Sequence, residues 1–120
     1  MKVNRNYRFV LTVVDNSMIE SGEIAVLNNE LCGERMFQSE CHYYAEKNII
    51  ESIKAAEKVG ESELGSYYGH TYLIYKETKP RTEKTVEEKD GKKITIEYEV
   101  PGEAMLIETI TVDENGINIR

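Results

Sequence analysis

The stretch Ser39–Gly60, SECHYYAEKNIIESIKAAEKVG, decides the fold. Cys41, Ala45, Ile49, Ile53 and Ala56 recur at steps of four, four, four and three, one apolar stripe at helical period. Glu46, Lys47, Glu51, Lys54, Glu57 and Lys58 cover the other side. Ser39 is placed to cap the first turn, Glu40 lies near the positive end of the dipole, and Gly60 supplies a left-handed stop. At ~1.5 Å per residue the helix runs ~30 Å, enough to cross a small sheet.

Upstream, Tyr7 to Val14 alternates: Tyr7, Phe9, Leu11 and Val13 form a core face, and Arg8, Val10, Thr12 and Val14 a mixed one. Asp15-Asn16-Ser17 breaks this strand, and Ser21-Gly22 precedes a second, Glu23 to Leu27. The two read as an antiparallel hairpin with Met18 and Ile19 folded back as a plug. Asn28 to Gln38 has no sustained period and reads as a loop with a short helical turn.

Downstream, Glu61 to Thr71 reads as a polar loop in which Gly65 and Gly69 flank Tyr67 and Tyr68. Tyr72 to Thr78 is a strand that Pro80 stops or places at an edge. Thr82 to Val100 carries the strongest hairpin signal, with Asp90-Gly91 as a type I′ turn and Ile94, Ile96, Tyr98 and Val100 on one face. A two-residue loop sets Lys89 opposite Lys92, Glu88 opposite Lys93 and Lys84 opposite Glu97. The incoming strand offers little apolar surface, so this hairpin is expected to project, free or embracing a second subunit. Glu103 to Asp113 and Ile117 to Arg120 complete a meander around an Asn115-Gly116 turn. The expected fold is one α+β domain over residues 1–120: an antiparallel sheet of about six strands (hairpin, helix, meander) with one long amphipathic helix on one face.

Nineteen Glu and three Asp against 15 Lys and Arg give a net charge of −7. That balance argues against direct nucleic-acid binding, which needs a basic footprint. It suits solubility, or an acidic surface aimed at a protein partner. No apolar run reaches the ~20 residues of a membrane span. The opening MKVNRNYRFVLTVV faintly resembles a leader, but Arg8 and Thr12 interrupt its apolar run, so an unprocessed cytoplasmic chain is expected. Cys32 and Cys41 read as buried free thiols.

The spacing Cys32-x8-Cys41-His42 fits no structural zinc pattern, and His42 and His70 read as surface or turn histidines. Cys41 and His42, adjacent on a helix, project about 100° apart, poor geometry for proton transfer. Gly65-x3-Gly69 lacks the other parts of a phosphate loop. The motifs therefore point away from an enzyme, and no catalytic residue, metal or cofactor is expected. The tyrosines point instead to ligand binding. Tyr43 at the helix start, Tyr67, Tyr68 and His70 in the glycine-flanked loop, and Arg8 or Arg35 for charge would suit a small anionic aromatic ligand such as a nucleotide.

The sequence YRFVLTVVDN followed by SGEIAVL, and the Ile/Lys/Glu/Asn/Tyr-rich usage, resemble small accessory proteins of phages and prophages. The layout of hairpin, helix and meander is similar to that of the anti-Thoeris signal sponges. The resemblance implies a non-enzymatic homo-oligomer in the host cytoplasm that sequesters a nucleotide-type immune signal. The alternative expectation is an acidic, protein-directed inhibitor of a nucleic-acid-binding defence complex, motivated by Glu83, Glu87, Glu88, Glu97 and Glu99.

Overall fold

The computed structural model describes residues 7–120 and, at 61 and 62, the backbone alone. Residues 1–6 of the leader-like opening, with its basic Lys2 and Arg5, lie outside it. The fold is α+β, with seven described strands in two antiparallel sheets. The main sheet has the order β2-β1-β3-β6-β7, built from β1 (Tyr7–Asp15), β2 (Glu34–Ser39), β3 (His70–Thr78), β6 (Ala104–Asp113) and β7 (Gly116–Ile119). The second is the two-stranded ribbon of β4 (Arg81–Lys89) and β5 (Lys92–Val100).

The amphipathic helix α2 spans His42–Val59 and buries Ala45, Ile49, Ile53 and Ala56, four of the five residues of the expected stripe; the fifth, Cys41, is half-buried just outside the helix. That face packs on Leu11, Tyr72, Ile74, Ile110 and Val112, with Phe9, Val13 and Phe37 at the margin. Burying each large aliphatic side chain here is worth about 1.5–3 kcal/mol. The helix starts two residues later than expected. Ser39 ends β2, its hydroxyl accepts from the Cys41 N–H at 3.1 Å, and Cys41 is the extended N-cap.

Three connections differ from the sequence reading. Glu23 to Leu27 is not a strand. After the short helix α1 (Asn16–Glu20), the segment 21–33 lies irregularly over the second face of the sheet. There Ile19, Ile24, Val26, Leu31 and Cys32 pack on Val14, Leu73 and Tyr75. The cover explains why Val10 and Thr12, on the face read as mixed, are fully buried. The partner of β1 is instead β2, inside the stretch read as a loop; a bulge opposite Leu11 and Thr12 leaves Met36 unpaired and breaks the period of two. Glu61–Tyr68 is a helix, α3, with Gly65 in its interior, and β3 begins at His70 as the central strand. Pro80 therefore ends β3 and does not mark an edge. The last turn also shifts: Asp113 pairs Gly116, so Glu114-Asn115 forms the loop.

The β4–β5 ribbon has the expected register, Lys89 opposite Lys92, Glu88 opposite Lys93 and Lys84 opposite Glu97. Asp90 (φ 56°) and Gly91 (φ 76°) are both left-handed, as a type I′ turn demands. The ribbon leaves the body between the adjacent strands β3 and β6. Its root is clamped by Thr78 N–H to Glu103 O (2.8 Å) and Glu103 N–H to Thr78 Oγ1 (2.7 Å). Nine residues at ~3.3 Å make an arm of about 30 Å. It accounts for a longest dimension of 72 Å and a radius of gyration of 19.5 Å, against about 14 Å for a compact chain of this length. No described helix is long and apolar enough to cross a membrane.

Candidate functional site

The six residues expected to share a ligand site fall in three places. Arg8 and Arg35 lie on the sheet face opposite α2 and converge on Glu77. Arg8 Nε and Nη2 each stand 2.8 Å from Oε1, and Arg35 Nη2 is 2.8 Å from Oε2. Burial pushes the Glu77 carboxyl up, but the hydrogen bonds and charges of Arg35 and Arg8 outweigh it and hold the group below its usual range. Both guanidinium groups are thus engaged by one carboxylate, which cancels one of their two positive charges and occupies donors that a phosphate would need.

Tyr67 and His70 do meet. With Met36, Ser66 and Tyr72 they line a shallow cleft of about 230 Å³, and the His70 Nδ1 lies 2.6 Å from the Ser66 carbonyl oxygen. His70 also borders a larger cleft of about 460 Å³, walled by Val14, Met18 and Ile24 and carrying the carboxylates of Asp15 and Glu34. Gly33 closes that wall in a left-handed conformation (φ 94°). Asp15 caps α1, accepting from Ser17 N–H and Oγ–H, and these two bonds lower its pKa. Tyr68 is exposed at the end of α3, where its carbonyl oxygen accepts from Asn16 Nδ2.

Tyr43 stands elsewhere, exposed in the first turn of α2 and edge-on to Tyr44. Its neighbour His42 has its ring 5.5 Å from Phe9, whereas His70 pairs Asp15, six residues further along β1. Six strand residues are about 20 Å. The expected site needed the helix start and the tyrosine loop to be adjacent, but α2 carries the chain to the opposite end of the sheet.

At the α2 start the structure assembles a group that the sequence reading passed over. His42 and Glu46 are one helical turn apart, and Glu108 reaches them from β6 through the same face of the sheet. One ligand-type atom from each lies within 4.8 Å of the others. His42 Nε2 is 3.0 Å from Glu108 Oε1 and 3.7 Å from Glu46 Oε2. The 3.0 Å contact is not aligned as a hydrogen bond. His42 Nε2 and Glu108 Oε2 are both cut off from solvent without a hydrogen-bond partner among the described residues. A hydrogen bond to Glu108, then desolvation and the Glu108 charge, raise the Glu46 pKa against the opposing effect of His42. His42 is accordingly not a turn histidine. Its spacing to Glu46 was visible in the sequence; Glu108, 66 residues downstream of His42, was not.

The two cysteines are free and half-buried, Cys32 in the second-face cover and Cys41 at the α2 cap. No protein-family model, curated protein or solved structure matches the chain.

Proposed function

We propose that this chain is a non-catalytic binding protein that works as a homodimer joined through the β4–β5 arm. One observation carries the reading. Ile94, Ile96 and Tyr98 form, with Val100, an apolar stripe along β5 on one face of a ribbon that projects from the body, beside Arg81, Glu83, Thr85 and Glu87 of β4, and the first three are 39–45% exposed. An isolated two-stranded ribbon is marginal in water, so this face calls for a cover.

A second copy supplies one by symmetry. A two-fold axis across the arm stacks Ile94 over the partner copy's Val100 and Ile96 over its Tyr98. The same register sets Arg81 opposite the second copy's Glu87, and brings the Lys89–Lys92 tip toward the second root, where Glu103 lies. Charge and apolar pattern are thus self-complementary, as an isologous contact requires. The opposite ribbon face mixes Lys84, Glu88, Lys93, Glu97 and Glu99, so it offers no unbroken acidic surface of the kind a nucleic-acid mimic needs.

For the ligand, the 460 Å³ cleft beside His70 has the size of a small-molecule site. Its carboxylates Asp15 and Glu34 suit a hydrogen-bond donor or a cation. A nucleotide-type signal would enter base first, its phosphates toward solvent. Light scattering after size exclusion tests the assembly: the wild type is expected near twice 13.8 kDa, and I96K, at an exposed position, near one chain mass with an unchanged circular dichroism spectrum. A wild type monomeric at high micromolar concentration would sink the proposal. Titration of a nucleotide panel, with H70A and E34Q beside the wild type, tests the cleft.

A further inference from the structure

We propose that His42, Glu46 and Glu108 form a binding site for a divalent transition-metal cation of the zinc class. The chemistry of the set comes first. One imidazole with two carboxylates is a nitrogen–oxygen donor set suited to zinc, and also to manganese or ferrous iron. Three protein ligands leave at least one position open to water. Two carboxylates offset a +2 charge in full, while the positive end of α2 opposes it with only roughly half an elementary charge.

Geometry is the second argument. The separations of 3.0 and 3.7 Å from His42 Nε2 to the two carboxylates are those of ligands sharing an ion. With bond lengths of ~2.1 Å they correspond to ligand–metal–ligand angles of roughly 90° and 120°, spanning the tetrahedral and octahedral range. A simple ion pair accounts for the same atoms less well. An imidazolium bridging the carboxylates would aim its Nε2–H at an oxygen, but the 3.0 Å contact is misaligned, and a buried Glu108 oxygen is left over. A cation seated among the three partners His42 Nε2 directly, and Glu108 binding through both of its oxygens brings in Oε2 as well.

The elements that hold the ligands are rigid. His42 and Glu46 sit one turn apart on a helix anchored by Ala45 and Ile49, and Glu108 sits on β6 opposite Ile74, itself fully buried. Ligands must shed their protons to bind a cation, so affinity falls as the pH is lowered.

The test is calorimetric titration of the purified full chain with zinc alone at neutral pH, together with the imidazole NMR signals of both histidines. One zinc per chain is expected, with the His42 resonances shifted in step with occupancy and a rise in melting temperature. E46Q and E108Q, near-isosteric changes, are each expected to weaken binding at least about tenfold, since loss of even a supporting partner costs that much. H70Q is expected to leave it unchanged. Zinc that fails to bind overturns the proposal. So does zinc that binds E108Q as tightly as wild type, or that moves His70 and the thiols while leaving His42 unmoved. Manganese in place of zinc, read by its paramagnetic broadening of His42, repeats the test with an ion of little thiol affinity; broadening of His42 supports the site, and its absence counts against it.

Discussion

Arg35 on the edge strand β2 reaches over β1 to Glu77 on the central strand β3, closing at 2.8 Å, where Arg8 meets the same carboxylate. Two arginines on one buried acid knit three strands on the side of the sheet that lacks the long helix. Because the folded Glu77 pKa lies below its value of about 4.5 in the unfolded chain, the folded state binds this proton less readily. The stability it contributes is fully present above that unfolded value and is lost as the pH falls through the lower folded one. E77Q is expected to cost about 1–3 kcal/mol at pH 7, and to flatten the loss of stability on acidification. Urea denaturation of both proteins from pH 7 to 3 checks this; parallel pH curves would refute the coupling.

Gly33 holds the irregular second-face cover against β1. Its φ is 94°, and an added Cβ would meet the Val13 carbonyl oxygen at 2.6 Å and Val14 Cγ2 at 2.7 Å. G33A is expected to destabilise by more than the ~1–2 kcal/mol of left-handed strain alone. Gly22 is the control: its φ of 82° carries the same strain, but nothing lies within 4 Å of its Cβ position. G22A should therefore cost less than G33A in the same denaturation series.

On the α2 side, Ile53 is fully buried and Val59 on the same helix is 70% exposed. I53A is expected to cost about 2–5 kcal/mol and V59A less than about 0.5 kcal/mol. Equal losses would mean that the helix does not pack by the stripe Ala45, Ile49, Ile53 and Ala56.

These elements differ in how far the sequence discloses them. The α2 stripe and the Asp90-Gly91 ribbon are local: periodicity and turn chemistry within a few residues specify them, and their faces and register follow. Strand β2 is hidden because the bulge at Met36 interrupts its alternation, and α3 because Gly65 and its polar residues weaken the helical signal. The cover from residue 21 to 33 partly buries Ile24, Val26 and Leu31 without any period to read. Sites suffer most. Arg8 with Glu77 and His42 with Glu108 are joined only by strand order, which no single segment encodes. Arg8 therefore looks available for an anion until β3 brings Glu77 beside it, and Glu108 looks like one glutamate among nineteen until β6 sets it under α2.

The arm gives the last prediction, because its proposed two-fold register is specific. Arg81 already pairs Glu83 within its own ribbon at 2.8 Å, so the contact with the second copy's Glu87 competes for a guanidinium that is 58% exposed in the single chain. An exposed pair contributes about 0.2–1 kcal/mol, and symmetry makes two of them, so reversing one charge should weaken dimerisation by roughly 2- to 30-fold. E87R places two arginines face to face across the axis and should weaken the dimer; R81E should do the same with two glutamates. The double variant R81E/E87R restores opposite charges and should recover most of the affinity. Sedimentation equilibrium of the four proteins at low salt reads this directly. Recovery in the double variant supports the stacking of Ile94 over Val100 and Ile96 over Tyr98. A dimer that ignores all three substitutions associates through some other surface, and the apolar stripe then needs a different partner.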